Sequence, residues 1–326
     1  MKTCTIGSYP KVPSGTGPSI RTAIQRFERG TMKPSELYST YEAVTRQTLV
    51  LSQEARLDAA TDGQIRWGDL FDPLCRDVDN LEAGGLLRWF DNNFYYRHPV
   101  VTGRLQYQGG ALAAWAREAV AFPLPIIVAL PGPFTFAALA EDQSYHNSGA
   151  LLADVVEILA LAARSLSSTG IFEVQWDEPG LAALESVETQ PNVRSVYGDL
   201  INANPELRQS IALYWGSSRP WLDILAHTPA ARISIDACAD PDALEILQQE
   251  TFPFEVGLGL LDARDVRLEV PDRVASRLAP VLRRYGEGRV WLHPNSGLEF
   301  LPPDCAAQKL NLLRATKAAL YGEEVG

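Results

Sequence analysis

Eight times along the chain a short β-branched or aliphatic run ends in a polar or glycine-rich cluster: CTIGSYP, LDAATDGQIR, IIVALPGP, IFEVQWDEP, IALYWGSS, ISIDAC, VGLGLLDAR and VWLHPNSG. Strand-then-loop units separated by helical periodicity are the outline of an α/β chain whose strands are parallel, because parallel neighbours need a long crossover between them. Eight such units, evenly spaced, predict a single (β/α)8 TIM-type barrel over residues 1–326, with chemistry at the C-terminal strand ends where the polar clusters sit. The stretch from Gly63 to Leu124 is too long for an ordinary link and is expected to be an insertion after strand 2, about 63–124. It carries Trp67, Trp89, Phe90, Phe94, Tyr95 and Tyr96 among Arg66, Arg88, Arg97 and Arg104, the composition of a functional rim.

Helices are expected over PSIRTAIQRFERG, over KPSELYSTYEAVTRQTLVLSQEA with Ser35 as its cap, from FTFAALA, and over GALLADVVEILALAARSLSSTG ending at Gly170. Further helices are expected near 219–228, 240–250, 269–286 and 304–322, while 191–205 reads as an irregular surface excursion. A net charge of -11 leaves no basic face for nucleic acid or an anionic membrane. The four cysteines lie far apart without a CxxC pair, which suggests reduced thiols rather than a disulfide framework. The N-terminus enters a strand directly and no apolar run reaches about 20 residues, so a cytoplasmic, soluble protein is expected.

The chemically richest cluster is QWDEP, where Asp177 or Glu178 can receive an amine or act as a base, or simply cap the next helix. In TDGQIRWGDL, Arg66 offers a planar fork for a carboxylate, or else a salt bridge to Asp62 or Asp69. DNNFYYRHP supplies phenols for stacking on a flat heterocycle or for lid packing. In IGSYP, Gly7 permits close backbone approach and Ser8 can donate to an anion. In HPNSG, His293 is either a proton carrier or a packing residue, beside Asn295 and Ser296. Cys238, Asp236 and His293 are the loose candidates for a metal site. Serine-hydrolase elbows, phosphate-binding loops, dinucleotide fingerprints and HExxH helices are missing.

In order and spacing, IGSYP, TDGQIRWGD, DNNFYYRHPVV, LPGPFTF, QWDEP, GLGLLDAR and HPNSGLEFLP resemble the cobalamin-independent methionine synthase family, from about residue 4 to residue 310. The resemblance implies a (β/α)8 barrel and methyl transfer from a methyl-tetrahydropterin or tetrahydrofolate derivative to homocysteine or a similar small acceptor. Full-length members look like two barrels in tandem, only the C-terminal one holding zinc through His-x-Cys, Glu and Cys. Here those positions read Tyr214-Trp215-Gly216, Asp236 and Ser296, so no metal is expected, and the chain looks more like the zinc-free N-terminal barrel. Gln64 stands where the family commonly carries Glu.

Under this resemblance Ser8 and the backbone near Gly7 hold a carboxylate, and Asp177 holds an amine. Arg66, Trp67, Tyr95 and Tyr96 frame the donor, His293 or Asp236 handles protons, and Gln64, Glu178, Tyr214, Asn295 and Ser296 complete the substrate site. Two alternatives stand beside it. One is a non-catalytic or donor-binding partner of a separate zinc-containing barrel; the other is an enzyme that reuses the pocket for different chemistry.

Overall fold

A computed structural model describes residues 1–11, 19–88, 95–184 and 192–322. Trp89, Phe90 and Phe94, expected on the rim, lie outside the described residues. Seven of the eight sequence runs contain a strand, and the first strand lies just before its run, CTIGSYP, of which only Cys4 bridges: β1 (Lys2–Thr3), β2 (Ala60–Thr61), β3 (Ile126–Pro131), β4 (Glu173–Asp177), β5 (Gln209–Leu213), β6 (Arg232–Asp236), β7 (Glu255–Leu261) and β8 (Val290–Pro294). They pair in parallel in the order β1, β8, β7, β6, β5, β4, β3, β2. A parallel bridge between Cys4 and Ala59 joins the two ends, closing the (β/α)8 barrel. Closure explains why strands as short as β1 and β2 persist, since both flanks of each are hydrogen-bonded and no edge is left bare.

The helices wrap the barrel through apolar stripes at helical spacing. The helix Ser148–Ser167 is capped by Asn147, whose side chain accepts from Ala150 N at 3.0 Å. It turns Leu151, Leu152, Val155, Ile158, Leu159, Ala162, Ala163 and Leu166 inward. Each fully buried aliphatic chain on such a stripe contributes about 1.5–3 kcal/mol by leaving water. The helix Pro34–Glu54 starts two residues earlier than expected: Lys33 is its cap residue, Pro34 opens it, and the Glu36 carboxylate accepts from Lys33 N at 2.8 Å. Ser35 therefore lies inside the helix rather than capping it. The segment read as an irregular excursion contains the helix Val193–Asn202, which buries Val193, Val196, Tyr197, Leu200 and Ile201. Its apolar spacing is helical, and the polar flanks at Asn192 and Asn204 obscured it.

Between β2 and β3 lie the helix Asp72–Asp77, two long antiparallel strands, Val78–Arg88 and Tyr95–Tyr107, and the helix Ala111–Val120. A short strand, Glu141–Asp142, adds to this ribbon in parallel at Val100 and Val101. The Asp77 carboxylate ties the ribbon to the following helix by accepting from Ala111 N at 2.8 Å and Leu112 N at 3.0 Å. Phe71 packs against both Tyr96 and Phe136, with ring centroids 5.8 and 5.7 Å apart. This contact sets the foot of the ribbon beside the C-terminal mouth of the barrel. None of the described helices is long and apolar enough to cross a membrane.

Candidate active site

The alternation of side chains along β4 places Glu173, Gln175 and Asp177 on the same side of one strand. Glu173 is held at one end of the interior by Arg232 at 2.5 Å, Arg208 at 2.7 Å and Ser210 at 2.6 Å. Asp177, at the other end, opens onto a cavity of 320 Å³ lined by Gly7, Ser8, Lys11, Gln64, Tyr96 and Tyr214, among others. It accepts from Gln175 Nε2 at 2.7 Å and from the Tyr214 hydroxyl at 3.3 Å. Burial outweighs these two donors and pushes the Asp177 carboxyl up to about 7.

The loops after β1, β2 and β8 close in from the far wall. Gly7 has φ +66, and a Cβ there would press within 3.1 Å of Gly297 Cα, so glycine serves both the turn and the close approach. Ser8 donates its hydroxyl to the Gln64 side-chain oxygen, while Gln64 Nε2 donates to the Ala129 carbonyl at 3.1 Å. Ser8, Gln64 and Asp177, far apart in sequence, thus face one space together with Tyr95, Tyr96 and Tyr214.

Six more residues of this wall carry side chains that sequence reasoning did not select for the site: Lys11, Asp69, Leu70, Trp215, Glu299 and Phe300. Glu299 folds back over Gly297, where a Cβ would come within 2.1 Å of its Oε2. That oxygen is sealed from solvent and has no hydrogen-bond partner, and burial pushes the carboxyl up to about 7. Lys11 donates its ammonium to the Trp67 carbonyl. The only sequence signal for either was adjacency, Lys11 to IGSYP and Glu299 to HPNSG.

Several expected site residues lie elsewhere. Glu178 points away from the cavity and anchors the helix Pro133–Leu139, accepting from Phe134 N, Thr135 N, the Thr135 hydroxyl at 2.6 Å and the Tyr197 hydroxyl at 2.7 Å. Asp236 is saturated by Trp215 N, Cys238 N, Ala239 N and Asn295 Nδ2, all within 3.1 Å, and Asn295 spends its carbonyl on Ala263 N. Glu178 has no acceptor left for substrate, and Asp236 is held within its loop by three donors on Oδ1 and one on Oδ2. His293 faces the barrel interior, where a Cβ at Gly257 would meet its Nε2 at 2.7 Å; burial lowers its pKa to about 3, leaving a neutral imidazole below the cavity. Ser296 is buried beside this loop and does not line the cavity.

Arg66 pairs with Glu118 at 2.5 Å, rather than with Asp62 or Asp69, and stacks over Tyr38 at 4.3 Å. With Trp67 it lines a second cavity of 720 Å³, which meets the first at Lys11, Gly68 and Asp69.

A family model described as the N-terminal domain of cobalamin-independent synthase matches residues 20–284. The chain belongs to this family. The methionine synthase of Sulfurisphaera tokodaii is 23% identical over 325 residues, spanning 97% of this chain and 92% of that protein. The 5-methyltetrahydropteroyltriglutamate–homocysteine methyltransferase of Nitrobacter winogradskyi is 29% identical over 231 residues, 69% of this chain but 30% of that longer protein. Among solved structures, a B12-independent methionine synthase from a Shewanella species, in complex with selenomethionine, superposes with a TM-score of 0.79. It covers 98% of this chain and 97% of its own at 19% identity, a likeness of fold.

The zinc-ligand positions named from the sequence do not fit a thiophilic zinc here. Tyr214 gives its phenol to Asp177, and Asp236 has its oxygens occupied. A Cβ at Gly216 would stand 2.0 Å from the Ala182 carbonyl, so a cysteine could not replace this glycine without moving backbone. Cys238 and His293, the loose metal candidates, turn to different backbone carbonyls, Gly259 and Pro294. Among the described residues no three of His, Cys, Asp and Glu stand close enough to share a metal.

Proposed function

We propose that this chain is a methyltransferase acting on homocysteine or a similar small acceptor, with a methyl-tetrahydropterin-type donor and without a zinc site of the family's kind. The observation that carries the reading is the convergence of Gly7, Ser8, Gln64, Asp177 and Tyr214 on one amino-acid-sized cavity at the C-terminal mouth of the barrel. Asp177 receives the acceptor's ammonium, and Ser8 with the backbone at Gly7 receives its carboxylate. Tyr95 and Tyr96 offer ring faces to the donor, and the second cavity, with Arg66 and Trp67, gives its remainder room to extend. Holding both reactants in line supplies much of the rate enhancement such a transfer requires.

Incubation of the purified protein with homocysteine and methyl-tetrahydrofolate tests this directly: methionine forms at catalytic rates, and inertness toward every thiol acceptor overturns it. The misfit at the zinc positions favours one second reading, in which the chain is the donor-binding partner of a separate zinc-containing barrel. Activity that arises only on mixing the two proteins would establish that reading instead.

A further inference from the structure

Among the described residues five that are not glycine adopt positive φ, and two of them, Gln64 and Trp215, line the candidate cavity. Trp215, at φ +64, is the bulkiest of the five, and a bulky side chain in the left-handed region is rare because its Cβ crowds the backbone. The surroundings fix this conformation from both sides. Asp236 Oδ2 accepts from Trp215 N at 3.1 Å, and Ser217 N donates to the Ala182 carbonyl at 2.9 Å. Gly216 packs so closely on that carbonyl that a Cβ would stand 2.0 Å from its oxygen. Strain of this kind persists only where neighbouring structure over-determines it, and it gathers at binding sites.

The turn itself does not call for tryptophan, since glycine or asparagine adopts the left-handed conformation more easily. What the indole adds is a face on the cavity. Tyr214 meets it edge-on, with centroids 5.0 Å apart, and Phe300 lies tilted against it at 6.0 Å, so three rings form one wall. Tyr214 also gives its hydroxyl to Asp177, which sets this wall beside the carboxylate that receives the acceptor's ammonium in the reading above. An acceptor held there by its ammonium and carboxylate leaves only a short apolar arm ending in sulfur. Polarizable sulfur packs favourably against aromatic rings at about 5 Å.

We propose that Trp215 is a specificity-determining residue of this site: with Phe300 it forms the wall that receives the sulfur-bearing arm of the acceptor, selecting thiol and thioether amino acids over those with shorter side chains. This rests on the amino-acid-acceptor reading. The strained turn after β5 is kept because it presents the indole to the ligand.

The test is calorimetric binding of methionine and of 2-aminobutanoate, which keeps the ammonium and carboxylate but lacks the methylthio group, to the full-length wild type and Trp215→Asn. Wild type prefers methionine. In the variant methionine affinity falls about tenfold or more, while that for 2-aminobutanoate changes by less than about twofold. The thermal midpoint stays within about 4 °C of wild type, because asparagine relieves the backbone strain as the ring is lost. Trp215→Phe, which keeps a ring, retains the preference for methionine. Trp215→Gly, read the same way, covers the case in which the asparagine variant does not fold. Equal weakening of both ligands, or a larger fall in the midpoint, means that the indole packs the fold rather than the ligand and overturns the proposal. Unchanged methionine binding overturns it too, as does a wild type that binds both ligands equally. A wild type that binds neither ligand removes the acceptor reading itself, a distinguishable failure.

Discussion

The two ends of β4 carry carboxylates in the same barrel, and the protein treats them in opposite ways. At the N-terminal end, Glu173 meets the guanidinium groups of Arg232 and Arg208, and Arg208 continues to Glu255 at 2.7 Å. Although burial works against it, Glu255 stays below the usual carboxylate range because Trp291 and Arg208 donate to it. Two strand positions of the same facing later, Asp177 has only neutral donors, and burial lifts it to about 7. Charge at the first end is balanced within the fold. At the second it has only neutral partners within the fold, which makes this end the candidate site.

The comparison breaks most severely at the paired end. Arg232→Ala leaves Glu173 buried without its closest partner and is expected to cost about 3–5 kcal/mol in urea denaturation. A smaller loss would mean that Arg208 and Ser210 suffice to hold the charge. Asp177→Asn is the matched change at the open end. Stability is expected to hold within about 0.5 kcal/mol or rise, because a charge with no cationic partner is removed. Methionine affinity is expected to fall about tenfold to a hundredfold in the same preparation. Destabilisation comparable to that of the arginine variant would erase the distinction.

The pH response sharpens it further. Asp177 and Glu299 have folded pKa values raised to about 7, so between their ordinary values, about 4, and 7 the folded state holds protons the unfolded chain has released. Unfolding free energy contributed by these groups therefore falls as pH rises through that window. Urea midpoints compared at pH 5 and pH 8 should show a shallower decline in the double variant Asp177→Asn, Glu299→Gln; an unchanged decline would locate the titration elsewhere. The smallest effect is expected from Tyr214→Phe. Its 3.3 Å hydrogen bond to Asp177 is long, and its loss should change stability by less than about 1 kcal/mol and methionine affinity by only about threefold.

Motif order carried further than individual residue chemistry. The eight strand runs, and the family, were legible because parallel buried strands demand consecutive apolar residues with abrupt polar ends. Gly7, Ser8, Gln64 and Asp177 could be selected from such ends. Glu178 and Asp236 carried the same local signal and proved to be anchors, because their donors, Thr135, Tyr197 and Asn295, come from distant segments. Glu299, an acid in the loop after β8, was not selected although it lines the same cavity.

The sequence by itself determined the strand count, the parallel pairing implied by long crossovers, and the gathering of polar clusters at the C-terminal strand ends, since hydrophobic periodicity is a local property of the chain. Only the tertiary structure decided which carboxylates are spent and which are open, because solvation, hydrogen-bond donors and neighbouring charge at Asp177, Glu178, Asp236 and Glu299 are supplied across the barrel by residues that periodicity cannot pair.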